Sequence, residues 1–198
     1  MTLLERLRTD TRSQHEQTEH LLYTEPLRTG TLSVQNYYHL LVTHLAYHRA
    51  LEQAIDQHPD FFQDYVPDAR RKTPWLMADL GSVATDLPSL TDVFANWTPI
   101  QLLGAAYVGE GSMLGGKTVW HYLQQSPALV SLLPAARFYR GYGPDTGQNW
   151  KAFGAFITEK GCGHEDEVVD AAGRAFTLYQ ELFQQTQPAL PIEIASAN

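Results

Sequence analysis

Arg8, Arg12, His15 and Glu19 follow one another at spacings of four, three and four residues. On a helix, with each residue advancing about 100 degrees, these side chains fall along a single stripe. A neutral imidazole ligates iron or zinc through one ring nitrogen, and its second nitrogen needs an acceptor to fix tautomer and ring orientation. Glu19, one turn on from His15, supplies that acceptor directly or through a water. Arginines one and two turns earlier would meet carboxylates on whatever the metal belongs to. The same residue types also make an ordinary solvated helix face, and taken alone the pattern fits that description better. The other histidines, His20, His39, His44, His48, His58, His121 and His164, each fit a helix surface or a core position better than a metal site.

A second stretch, YVGEGSMLGGKTVW, carries Gly109, Gly111, Gly115 and Gly116 between segments that read as helix. Each glycine inside a helix costs about 1 kcal/mol relative to alanine, so packing or function must offset the cluster. A backbone bare of side chains can press against a flat ligand. Equally, glycines four apart permit a close helix crossing, and a hinge is compatible with both. A phosphate-binding loop is disfavoured, because GEGSMLGGK lacks the required glycine-to-lysine spacing and follows no predicted strand.

The elements that must position these groups are helical throughout. Apolar residues recur at helical spacing and no long period-two alternation competes, which predicts an all-α fold. A first helix is expected from about Thr2 to Leu22, ended by the Pro26–Gly30 segment, and Ser33 caps a long second helix that runs to Pro59. Pro59 to Pro74 reads as a short helix with turns, WLMADLGSVATDL as a helix ended by Pro88, and Thr98 as the cap of a further helix. Helix resumes after the glycine cluster through KTVWHYLQQ. The stretch LLPAARFYRGYGPDTGQNW reads as a loop long enough to need a functional or packing reason, and one last helix follows. In that helix Val169, Ala172, Phe176, Tyr179 and Phe183 form an apolar stripe, with Val168, Ala175 and Leu182 beside it.

With 198 residues, 43% of them hydrophobic, the chain suits a single core, expected over 1–187 with a C-terminal tail at 188–198. A formal net charge of -8 disfavours nucleic acid and anionic lipid, so an anionic ligand would need a local basic cluster. The single cysteine, Cys162, has no partner for a disulfide or a metal pair, which fits a reducing compartment. The start has no apolar run of signal-peptide length and no segment reaches the length of a membrane span, so the cytoplasm is the expected location.

Taken together, RSQHEQTEH and YVGEGSMLGGKTVW resemble the haem oxygenase family, especially its bacterial biliverdin-forming branch, and the likeness extends over almost the whole chain to AFTLYQELF. The resemblance implies a single-domain helical bundle with a glycine-kinked distal helix. It implies that His15 is the iron ligand, Glu19 its supporting carboxylate, and Arg8, Arg12 and Lys151 the basic residues near the propionates. Gly111, Ser112 and Gly115 match the part of the distal helix that passes over the haem, and Phe176 and Phe183 match apolar pocket positions. Some members carry a distal aspartate where this chain has Ser112, whose hydroxyl can join a water network but is no acid. Glu110 lies about 100 degrees away around a helix and does not inherit that role.

Haem is then both substrate and cofactor, opened with oxygen to biliverdin, carbon monoxide and iron. Electrons must come from a separate reductase or ferredoxin, since no flavin or nicotinamide fingerprint and no cysteine cluster is present. A biliverdin reductase or a bilin-using photoreceptor would lie downstream. Two other readings stand beside this one: a haem carrier or sensor that retains His15 without ring opening, and a non-haem helical enzyme on a related scaffold.

Overall fold

The structure is a computed structural model that describes residues 1–86 and 93–187. Among these residues regular structure is entirely helical, with eight α-helices: α1 (Leu3–Asp10), α2 (Arg12–Leu21), α3 (Thr24–Arg28), α4 (Val34–Asp56), α5 (Thr73–Leu80), α6 (Pro99–Leu123), α7 (Thr146–Lys160) and α8 (Glu165–Thr186). The expected all-α fold is present. The helix end expected at Pro88 and the tail 188–198 lie outside the described residues.

α8 is the support for the rest. Of its predicted stripe Ala172, Phe176, Tyr179 and Phe183 are buried, as is Val168 beside it, while Val169 is half-buried. α1 and α2 run alongside it in the same direction: Arg6 bonds Asp166 at 2.7 Å, His15 meets Phe176, and Gln180 donates to Thr18 at 2.9 Å. α4 runs the opposite way, with Tyr179 bonded to His44 at 3.1 Å and His39 to the Phe183 carbonyl at 2.8 Å. α4 is buried on nearly every side, and Ser33 caps it by accepting from the Asn36 amide.

α6 crosses α8 with no room for a side chain at Gly104. A Cβ built there would lie 2.5 Å from the Ala172 nitrogen and 2.6 Å from the Val168 carbonyl oxygen. The close crossing that glycines allow is therefore made at Gly104, outside the glycine cluster. α6 also runs unbroken through Gly109, Gly111, Gly115 and Gly116, as one helix rather than the two segments expected. Burial of its first half and a capping box between Thr98 and Gln101 offset the poor helix propensity of the glycines.

Further boundaries differ from expectation: Pro26, expected to end the first helix, lies inside α3, and α7 begins at Thr146, within the stretch read as a loop. The first helix is divided at Thr11, whose buried hydroxyl donates back to the Leu7 carbonyl at 2.6 Å, a bond that competes with regular helix geometry. Gly81, at φ +53, ends α5, and a 3₁₀ turn replaces the remainder of that predicted helix. The last helix is two: α7 stops at Gly161 and α8 begins after a turn with Gly163 at φ +81. The long loop before α7 has a packing reason, since Asp79 accepts from the amides of Arg137 at 2.7 Å and Phe138 at 2.9 Å and seats Phe138 in the core.

Gly104→Ala should lower unfolding free energy by about 1–3 kcal/mol, because backbone on both sides must move, and urea denaturation measures this directly. Burial pulls the His44 pKa down to about 3, and His39 and His48 are lowered as well. Between the ordinary histidine pKa and these depressed values the unfolded chain binds more protons, so stability falls as pH falls through that window. His44→Gln should flatten the acid limb by up to about 1.4 kcal/mol per pH unit in denaturation measured from pH 7 to pH 4.

Candidate functional site

His15 projects from α2 with its ring set edge-on against Phe176, centroids 5.6 Å apart at 89°, and its side chain is 55% exposed. Phe176 is buried in α8, so the imidazole has a rigid wall on one side and open space on the other. Its Nε2 stands 3.8 Å from Glu19 Oε1, beyond a direct hydrogen bond and within reach of a bridging water. Arg12 turns away from this stripe to bond Glu16 at 2.7 Å. The break at Thr11 leaves Arg8 on α1 and the other three residues on α2.

α2 and α6 both pack on α8 rather than on each other. Along α6, Gly111 and Gly115 sit one turn apart, and a Cβ added at either would meet nothing within 4 Å. Gly109 and Gly116 point elsewhere: a Cβ at Gly109 would lie 3.2 Å from Leu51 and 3.4 Å from His48, and one at Gly116 would lie 3.5 Å from the Tyr139 carbonyl oxygen. Only two glycines of the cluster thus form a bare edge. Ser112 donates to the Gly109 carbonyl at 2.7 Å, which commits its proton to the helix and leaves its lone pairs to accept.

One turn before Gly111 stands Tyr107, which continues the same edge. Burial raises the pKa of its phenol, and the charge of Arg8 opposes that shift. The Tyr107 ring packs on Trp150 of α7 at 5.9 Å, and Lys151 follows at the exposed surface. Arg8 on α1 and Lys151 on α7 are both exposed basic residues, and Lys151 adjoins the tryptophan that packs on Tyr107.

Behind the edge lies a buried charge cluster. Glu110, 2% exposed, accepts from Arg70 at 2.9 Å, from Lys72, from Tyr65 at 3.0 Å and from Tyr142 at 3.1 Å. Burial and the Glu110 charge push both phenols up, which keeps them protonated as donors; burial lowers Lys72 while Glu110 opposes the shift. Arg70 extends further, donating to the carbonyls of Tyr65 at 2.8 Å and Asn149 at 3.2 Å.

The sequence model of the Heme oxygenase family matches residues 1–185. The chain belongs to the heme oxygenase family. Its members are haem-degrading oxidoreductases. Among solved structures, the NO- and CO-bound heme oxygenase from Neisseria meningitidis matches with a TM-score of 0.75 at 20% identity, covering 98% of this chain and 95% of that one. Heme oxygenase from Leptospira interrogans matches with a TM-score of 0.77 at 16% identity, over 93% of this chain and 100% of that one. At these identities the likeness is one of fold. A search of curated proteins gave no match. Among the described residues no helix is long and apolar enough to cross a membrane.

Within this heme oxygenase fold, the residues singled out in the sequence divide into groups. His15, Glu19 and Phe176 stand together, as do Gly111 and Gly115, while Arg8 lies on α1 and Lys151 on α7 beside Trp150. Phe183 lies one layer away, its ring 5.3 Å from Tyr23 and 4.3 Å from His39. Tyr107 and Trp150 escaped the sequence reading, although Tyr107, Gly111 and Gly115 at intervals of four already trace one helical edge. The Glu110 cluster had no local signal, because its partners lie 32 to 45 residues away.

Val66, between Tyr65 and Arg70, adopts φ +53 although it is β-branched and 55% exposed. The left-handed penalty of roughly 1–2 kcal/mol exceeds the roughly 0.5–1 kcal/mol entropy cost of a glycine. Val66→Gly should therefore stabilise the protein by up to about 1 kcal/mol in thermal or urea unfolding.

Proposed function

We propose that the domain at 1–187 binds haem against the Gly111–Gly115 edge of α6, with His15 as axial ligand, and opens the ring to biliverdin, carbon monoxide and ferrous iron. The observation that carries this reading is the bare edge itself: Gly111 and Gly115 are the two positions of the glycine cluster where a side chain would meet only open space. Such an edge suits a flat aromatic ring and has no use in packing. Haem, when bound, supplies the iron at which oxygen is activated; the chain's own residues supply grip, orientation and access.

His15 offers an exposed imidazole held edge-on by Phe176, and Glu19 lies near enough to orient it through a water. Arg8 and Lys151 give carboxylate side chains of the ring a basic end, an electrostatic handle within a chain of net charge -8. Arg12 is engaged with Glu16 and would have to exchange partners to join them. Ser112 holds its proton on the Gly109 carbonyl, so in this geometry it orders water as an acceptor and does not deliver a proton. Phe183 would act at second hand, by backing Tyr23 and His39. Electrons come from a separate ferredoxin or reductase in the cytoplasm, and a biliverdin reductase or a bilin-using photoreceptor would take the product.

Hemin titration should give a Soret shift that saturates at one haem per chain, and His15→Ala should displace or weaken it. Under oxygen, with ascorbate or a reductase, the Soret band should disappear as biliverdin absorption grows. Persistence of intact oxygenated haem would overturn the ring-opening reading in favour of a carrier. Gly111→Ala should leave the free protein as stable or up to about 1 kcal/mol more stable, since alanine is the better helix former, while hemin affinity falls. Equal affinity in that variant would remove the edge from the site.

A further inference from the structure

Glu110 immediately precedes the bare edge and is the most heavily engaged side chain behind it. Four side chains donate to its carboxylate: Tyr65, Arg70, Lys72 and Tyr142. Removing such charges from water is costly, and a well-packed apolar cluster of similar volume is often as stable or more so. Stability is thus a poor reason for the arrangement. Its geometry supplies a better one.

On a helix, Gly111 is turned about 100 degrees and Gly115 about 140 degrees from Glu110. Fixing the carboxylate inward therefore fixes both glycines outward, within about 40 degrees of each other. The partners come from separate elements: Tyr65 and Arg70 bracket the turn at Val66, Lys72 leads into α5, and Tyr142 lies in the loop before α7. Arg70 also reaches the Asn149 carbonyl, two residues before Lys151. One carboxylate is tied to the rotation of α6 and to the placement of the basic residue on α7. The left-handed Val66 inside the same cluster is a conformation that persists only where its surroundings over-determine it, and such residues gather at functional sites.

We propose that Glu110 is a positioning residue: through its bonds to Arg70, Lys72, Tyr65 and Tyr142 it holds the Gly111–Gly115 edge and the Asn149–Lys151 segment in one frame, and thereby sets the in-plane seating of the bound ring. This rests on the haem-binding reading above. Glu110 touches neither the ring nor the reacting atoms; it acts through the two surfaces that do.

The test uses the full chain loaded with hemin, comparing wild type, Glu110→Gln and Tyr142→Phe. The paramagnetically shifted haem-methyl resonances report ring rotation against the axial imidazole, and product chromatography reports the biliverdin isomer ratio. Both variants should retain stoichiometric hemin while their methyl shift pattern and isomer ratio move away from wild type, more in Glu110→Gln; Glu110→Asp should return part of the way. A purely structural role would lower the melting temperature and leave pattern and ratio unchanged. If Glu110→Gln does not fold, Tyr142→Phe decides, because it leaves both ion pairs intact: resonances and isomers superimposable on wild type overturn the proposal. Wild type that binds no hemin would end the haem reading itself, whereas wild type that binds beside unaltered variants ends only the positioning role.

Discussion

The arrangement of this protein depends on how closely α6 approaches α8. At Gly104 the two backbones leave no space for even a methyl group, and that contact sets the separation of two of the three long helices of the core. A protein interior is close-packed, so a fixed point of this kind is transmitted through neighbouring layers without being absorbed by slack. α1 and α2 lie along α8 in one direction and α4 in the other, while α7 takes its position from α6 and α1. His15 gains its wall from Phe176 of α8, and the bare edge of α6 gains its height from the Gly104 crossing.

Charge is distributed with the same economy of position. The chain is acidic as a whole, yet Arg70 and Lys72 are buried around one carboxylate, and Arg8 and Lys151 are left exposed. Burial keeps His44 and His48 neutral inside α4, so the long central helix brings polar rings into the core without bringing charge. The imidazole that stays largely exposed while its ring rests edge-on against the buried Phe176 is His15.

The glycines show how local cost and tertiary purpose are separated along one helix. Gly104 serves packing, Gly109 makes room for His48 and Leu51, and Gly111 and Gly115 face outward with nothing of the protein's own to fill them. Each carries a similar penalty against helix formation, and α6 forms because its capping box, its buried first half and the Glu110 contacts outweigh the sum. Residues of one type along a single helix therefore have different reasons to be there.

By itself the sequence determined the all-helical class, the apolar face of α8, the Ser33 and Thr98 caps, and the alignment of His15 with Glu19, because these follow from periodicity and short-range spacing. It misjudged Thr11 and Gly161, where a side-chain bond and a tight turn divide helices whose apolar pattern continues across the break. Only the tertiary structure decided which glycines pack and which lie open, that Arg12 turns to Glu16, and that Glu110 is bound to residues from three other parts of the chain. The physical reason is range: a helical face is written in residues three and four apart, whereas the neighbour that fills a glycine's missing volume or neutralises a buried charge arrives through folding, from positions that no local spacing encodes.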